Sequence, residues 1–127
     1  MIFNHNLFEH VTHQETFEII KSKTPSYDGN QIWNGKGLYL LWTVLEVLFF
    51  LKENNIAEIT YSNIFLFMKL DSLKGMLDLN IPLNMKAKIS IYLSSLPRHN
   101  EEAVHLFIIN RFNNEPISSK SKTSTIS

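Results

Sequence analysis

The chain lacks cysteine altogether among its 127 residues. Disulfides and thiolate-held metals are therefore excluded, and a reducing, cytoplasmic setting is the expected one. Glycine and proline number four each. Neither sign of charge dominates: 12 Lys plus Arg balance 12 Asp plus Glu. A protein that binds nucleic acid through its phosphates needs a basic excess, which is missing here. The first ten residues, Met-Ile-Phe-Asn-His-Asn-Leu-Phe-Glu-His, lack the basic start and apolar run of a secretory signal. The longest apolar run, Leu38 to Leu51, is interrupted only by Thr43 and Glu46. At about fourteen residues it falls short of the roughly twenty needed to cross a bilayer. A buried core helix, with no membrane span, is the expectation.

What is present is apolar and aromatic. The hydrophobic fraction is 44%, with nine Phe, four Tyr and two Trp, enough for one domain with a packed core. Glu15 ahead of Phe17, Ile19 and Ile20, with Lys21 and Lys23 behind, reads as a short helix with acid early and base late. Thr24–Asn30, with Pro25 and Asp28-Gly29, reads as a turn. In Asn34-Gly-Lys-Gly37 the glycine pair reads as a tight entry into the long helix. Asn54-Asn55 closes that helix. Thr60, with Ser62 as alternative, caps a helix carrying Ile64, Phe65, Phe67, Met68 and Leu70. Asp71-Ser72 opens a further turn or short helix, which Asn80-Ile-Pro82 ends. Asn84 is read as the cap of a helix bearing Met85, Ile89, Tyr92, Leu93 and Leu96; Asn100 and Glu101-Glu102 start the last one. The sum is an all-α bundle of five to six helices. The expected single domain covers residues 1–112, with an N-terminal segment 1–24 and a helical core 33–112. Residues 113–127, rich in Ser, Lys and Thr, are expected to form a flexible tail.

Chemistry-bearing patterns are thin. His10 and His13, with His5 nearby, have a spacing that can hold zinc, but neither a cysteine nor a matching carboxylate completes the set. Asn34–Gly37 lacks the glycine spacing and Lys-Ser/Thr of a phosphate loop. Ser94-Ser95 and His99 have no acid partner at useful spacing. No enzyme, metal or cofactor is expected. Residues 56–79 have the outline of a helix-turn-helix, yet offer only Lys74 and Asn80 for reading bases. Lys120 and Lys122 in the tail, with Arg98, His99 and Arg111, are the remaining positive groups of interest. A small DNA-associated protein is thus the alternative reading.

One ordered series is more specific. Asp28-Gly-Asn-Gln-Ile-Trp33 precedes the long apolar helix, which ends Phe49-Phe-Leu-Lys-Glu-Asn54. Ile59-Thr-Tyr-Ser-Asn-Ile-Phe-Leu-Phe-Met-Lys-Leu-Asp71 follows, then Ile91-Tyr-Leu-Ser-Ser-Leu-Pro97. Over residues 28–97 this order resembles type IV secretion and conjugation coupling proteins of the TraD/TraG-like and DotL-like kinds. Arg98 departs from the glycine usual there, and Walker A and Walker B segments are absent. The resemblance therefore implies the helical substrate-recognition region without its ATPase motor, as a stand-alone or truncated relative. Its implied partners are a coupling ATPase, an adaptor or a transferred substrate protein. Trp33, Trp42, Phe65, Phe67 and Tyr92 are the candidate interface or core anchors. Without the motor, part of the helix at 38–51 or of the Phe65, Phe67, Met68 face is expected to stay exposed.

Overall fold

A computed structural model describes residues 11–24 and 31–113. His5, His10, most of the 24–30 turn and nearly all of the 113–127 tail lie outside the described residues. Six α-helices form, and no strand is found among the described residues.

Helix α1 (His13–Lys23) starts on a reciprocal cap. The Thr12 hydroxyl accepts from the Glu15 N–H at 3.0 Å, and the Glu15 carboxylate accepts from the Thr12 N–H at 2.8 Å. Lys21 and Lys23 complement the dipole at the far end, as the charge order predicts. Helix α2 (Gln31–Glu53) is the longest, at 23 residues. It ends where Asn55 adopts φ 60°, in the left-handed region. There the Ile56 N–H reaches Leu51 O at 2.9 Å and the Asn55 N–H reaches Lys52 O at 3.0 Å, satisfying carbonyls the helix leaves open. Helix α3 (Tyr61–Phe67) begins on Thr60, whose hydroxyl accepts from the Asn63 N–H at 3.0 Å. Helix α4 (Leu70–Met76) follows after a brief turn.

Helix α5 (Leu83–Ser94) corrects one expectation: Asn84 is not its cap. The chain enters extended at Pro82, whose ring holds φ at −57° and whose carbonyl accepts from the Met85 N–H at 3.1 Å and the Lys86 N–H at 3.2 Å. The helix thus starts before Asn84, whose side chain points to solvent. Helix α6 (Glu101–Ile109) follows a 3-10 turn over Arg98–Asn100. Asn100 stands at its N-cap but gives no side-chain bond, and Glu101 and Glu102 occupy the first turn. A second 3-10 turn, Asn110–Asn113, closes the described chain.

Helix α2 is the post around which the others pack. Leu40, Leu41, Val44, Leu45, Val47 and Leu48 are fully buried. Helix α1 runs antiparallel to it: His13 meets Trp42, while Lys21 and Thr24 approach Asn34 and Leu38. Helix α5 is antiparallel too. Lys36 donates to Ser95 O at 3.1 Å near one end, and Glu46 pairs with Lys88 at 2.8 Å further along.

Two expectations about α2 are overturned. The glycine pair does not turn the chain into the helix; both glycines lie within it. Gly37 instead makes room for a guanidinium from the far end of the chain. A Cβ there would lie 2.6 Å from Arg111 Nη2. Nor does length exclude a membrane span. With residues 31–37 added, α2 is long and apolar enough to cross a bilayer. Half of its most apolar window is buried within the domain, the state of a core helix.

The two glycines make a paired test. A methyl at Gly35 meets nothing within 4 Å, so Gly35→Ala raises unfolding free energy by about 0.5–1 kcal/mol through helix propensity. Gly37→Ala lowers it by about 1 kcal/mol, because the pinned Arg111 must move. Urea unfolding of the two variants checks the opposite signs.

Candidate functional site

A broad concavity sits at the C-terminal end of α2. The left-handed turn at Asn55 sends the chain back across that end, so Ile56, Ala57 and Glu58 form one wall. Phe50 and Leu51 come from the last turns of α2, and Phe67 and Asn63 from α3. Leu79, Asn80 and Ile81, between α4 and α5, close the far side. The groove holds about 1020 Å³. Ile56 is 68% exposed and Leu79 40%, so two branched apolar side chains face solvent inside it. Its rim is amide-rich and nearly neutral. Lys52 stands against Glu58, with Asn54, Asn55, Asn63 and Asn80 between. Two of these amides are already turned inward: Asn54 Nδ2 donates to Phe50 O and Asn63 Nδ2 to Glu58 O, each at 2.8 Å.

Two polar side chains deep in the bundle tie its helices together. His105 on α6 is 1% exposed. Its Nε2 lies 2.7 Å from Met68 O and its Nδ1 lies 2.8 Å from the Tyr92 hydroxyl. A carbonyl only accepts, so Nε2 carries the proton and Nδ1 accepts from Tyr92. The neutral imidazole thereby ties α6 to α5 and to the end of α3. Burial holds its pKa below the usual 6.5, against the raising effects of the Met68 carbonyl and of Glu101. Arg111 is the second such tie. Its Nη1 donates to Asn34 Oδ1 at 2.6 Å and its Nη2 to Asn34 O at 3.3 Å, over Gly37. Neither residue stood out as a tie in the sequence. A single histidine at a core position of a helix carries no spacing signal, and the Arg111–Asn34 pair is 77 residues apart.

The residues singled out from sequence are spread around the molecule. Trp33 is half-buried near the start of α2, its ring edge-to-face with Phe107 at 5.5 Å. Trp42 carries the His13 ring tilted over it at 3.9 Å and the Phe17 ring edge-on at 5.1 Å. Phe65 is half-buried on α3 against the core, Phe67 lines the groove, and Tyr92 is buried beside His105. The apolar surface expected on 38–51 is largely absent, since the bundle's other helices cover it; Met68 is fully buried as well. Exposed apolar groups lie elsewhere, on Ile32, Ile56, Leu83 and Ile91.

His13 is a packing residue in this fold. Its Nε2 approaches Trp42 O at 3.2 Å, and burial lowers its pKa more than the Trp42 carbonyl and Glu46 raise it. Among the described residues no group of three His, Asp or Glu could hold a metal. Ser95 Oγ donates to Tyr92 O at 2.6 Å rather than to an imidazole. Residues 34–37 are helical, so they form no phosphate-binding loop. In the helix-turn-helix outline, α4 sets Lys69 and Lys74 against Asp71 and Asp78, and Lys74 is bound to Glu101 at 2.9 Å. Compared with protein families, curated proteins and solved structures, the chain matches none of them.

The two lowered histidines fix a pH dependence. Below 6.5 the unfolded chain takes up more protons than the folded one. Their contribution is whole above about pH 6.5 and is lost as pH falls through the lowered native values. Urea midpoints therefore fall between pH 7.5 and 5. Tyr92→Phe leaves Nδ1 buried without its donor and costs about 1–3 kcal/mol at pH 7.5, measured by the same titration.

Proposed function

We propose that the chain is a non-enzymatic helical interaction domain whose working surface is the groove at the end of α2. The single observation that carries this reading is the groove itself. Ile32, Leu83 and Ile91 are also exposed, but Ile56 and Leu79 line one concavity rimmed by amides. Such a surface takes apolar side chains from a partner segment, while the rim fixes its course. The ordered likeness of residues 28–97 to the helical region of type IV coupling proteins supplies the kind of partner. It is a coupling ATPase, an adaptor or a substrate protein in transfer. The DNA-associated alternative gains nothing, since α4 presents mixed charge and its central lysine is already paired.

The test is capture by the full-length tagged chain from its own cells, read by mass spectrometry, beside Ile56→Asp and Leu79→Asp. Both sites are exposed, so the variants keep the fold, which circular dichroism verifies. The expected result is recovery of a secretion ATPase, adaptor or transferred protein, with affinity for the purified partner lowered at least about tenfold in the variants, near 1.4 kcal/mol. Capture of chaperones and proteases alone, or equal capture by the aspartate variants, contradicts the reading.

A further inference from the structure

Helix α5 turns one uncharged face to solvent, away from the groove. Leu83 is 81% and Ile91 61% exposed, and Asn84, Ala87 and Ser90 between them are exposed too. We propose that this face is a dimerisation surface. Its partner is a second copy of this chain, held antiparallel across a two-fold axis at Ala87.

The order of the residues carries the proposal. Leu83, Ala87 and Ile91 are spaced by four, so they form one ridge along the helix. The ridge reads large, small, large about Ala87. Where such ridges of two helices interdigitate, the axes cross at about −50°. With the two-fold axis at Ala87, Leu83 of one copy lies on Ile91 of the second copy, and symmetry repeats the contact on the other side. The alanine at the crossing point lets the two backbones approach closely. Asn84 and Ser90 stand three residues to either side of Ala87, in the row that runs along the axis. A residue on the axis meets its own copy. Both side chains suit that, because an amide and a hydroxyl each donate and accept.

Charge favours the same occupant. Two-fold pairing sets every charge near the axis against its like, which is costly. The charged residues of α5 are Lys86 and Lys88, each about 100° round the helix from Ala87. Lys88 is turned to Glu46 at 2.8 Å. A nucleic acid or a charged peptide would find no opposite charge on this face, whereas a second copy meets no repulsion there. Two crossing helices of 12 residues each bury less than the roughly 1,200 Å² of a standard interface. The dimer is therefore weak and concentration-dependent.

Sedimentation equilibrium of the full chain is expected to show a monomer–dimer equilibrium. Ala87→Glu sets two carboxylates at the axis and is expected to weaken it at least about tenfold. A second test asks which residues face each other. Leu83→Glu and Ile91→Lys each set two charges against apolar side chains in their own dimers. Mixed in equal amounts, the two variants form a dimer with one Glu–Lys pair and one native Leu–Ile contact. That mixed dimer is expected to be at least about tenfold tighter than either variant alone. All three sites are exposed, and circular dichroism checks that each variant stays helical. A chain that stays monomeric up to about 1 mM, a dimer that Ala87→Glu leaves intact, or no gain on mixing overturns the proposal. None of these side chains lines the groove, so dimerisation and partner capture can fail separately.

Discussion

Everything else in the molecule depends on burying α2 from several sides at once. Seven of its aliphatic side chains, Leu40, Leu41, Val44, Leu45, Val47, Leu48 and Leu51, are buried. At about 1.5–3 kcal/mol each, their gross contribution is on the order of 10–20 kcal/mol. That is at least as large as the net stability of an ordinary domain, about 5–15 kcal/mol. Helices α3 and α4 have seven residues each, too short to persist alone. Helix α3 packs on α2 and α4 on α3, and Ile64, Leu73 and Met76 join the buried core.

Burial is not directional, and the bundle's geometry is fixed by a few polar ties laid across it. His105 joins α6 to Tyr92 on α5 and to the carbonyl that ends α3. Arg111 joins the end of the described chain to Asn34, over a glycine that makes the space. The partly buried Glu46–Lys88 pair sets α5 along α2. Each tie would be costly if left half-made, so each selects one arrangement among the many that bury the same leucines. With the interior so settled, what remains open is the far end of α2, where the Asn55 turn leaves an apolar hollow instead of a sealed cap.

Much of the fold was legible in local signals. Thr60 as a cap, the acid-to-base order of α1 and the stop at Asn54-Asn55 are all short-range chemistry. Thr12 with Glu15 was equally legible as a capping box, though it was the charges that drew attention there. The length of α2 was not legible. Trp33-Asn-Gly-Lys-Gly37 looks like a link because two glycines weaken a helix locally. The reason for Gly37 is Arg111, a contact no spacing rule reaches. The start of α5 was misplaced for a related reason: asparagine is a good cap, but Pro82 had already set the backbone. Of the candidate anchors, only Phe67 lies in the groove. The rest of its lining comes from a helix end, a connector and a loop, which converge only in three dimensions.

The central claim is that α2 is the core of a self-contained bundle, whose open end is a docking surface. Amide hydrogen exchange of the chain alone, in buffer free of lipid and detergent, addresses it most directly. The account predicts that the amides of Leu40–Leu48 are the slowest and exchange only with global unfolding, while those of Asn54–Glu58 exchange through smaller openings. Rapid exchange across Leu40–Leu48 until lipid or a partner is supplied would contradict it, and would make α2 a segment whose apolar faces need covering from outside.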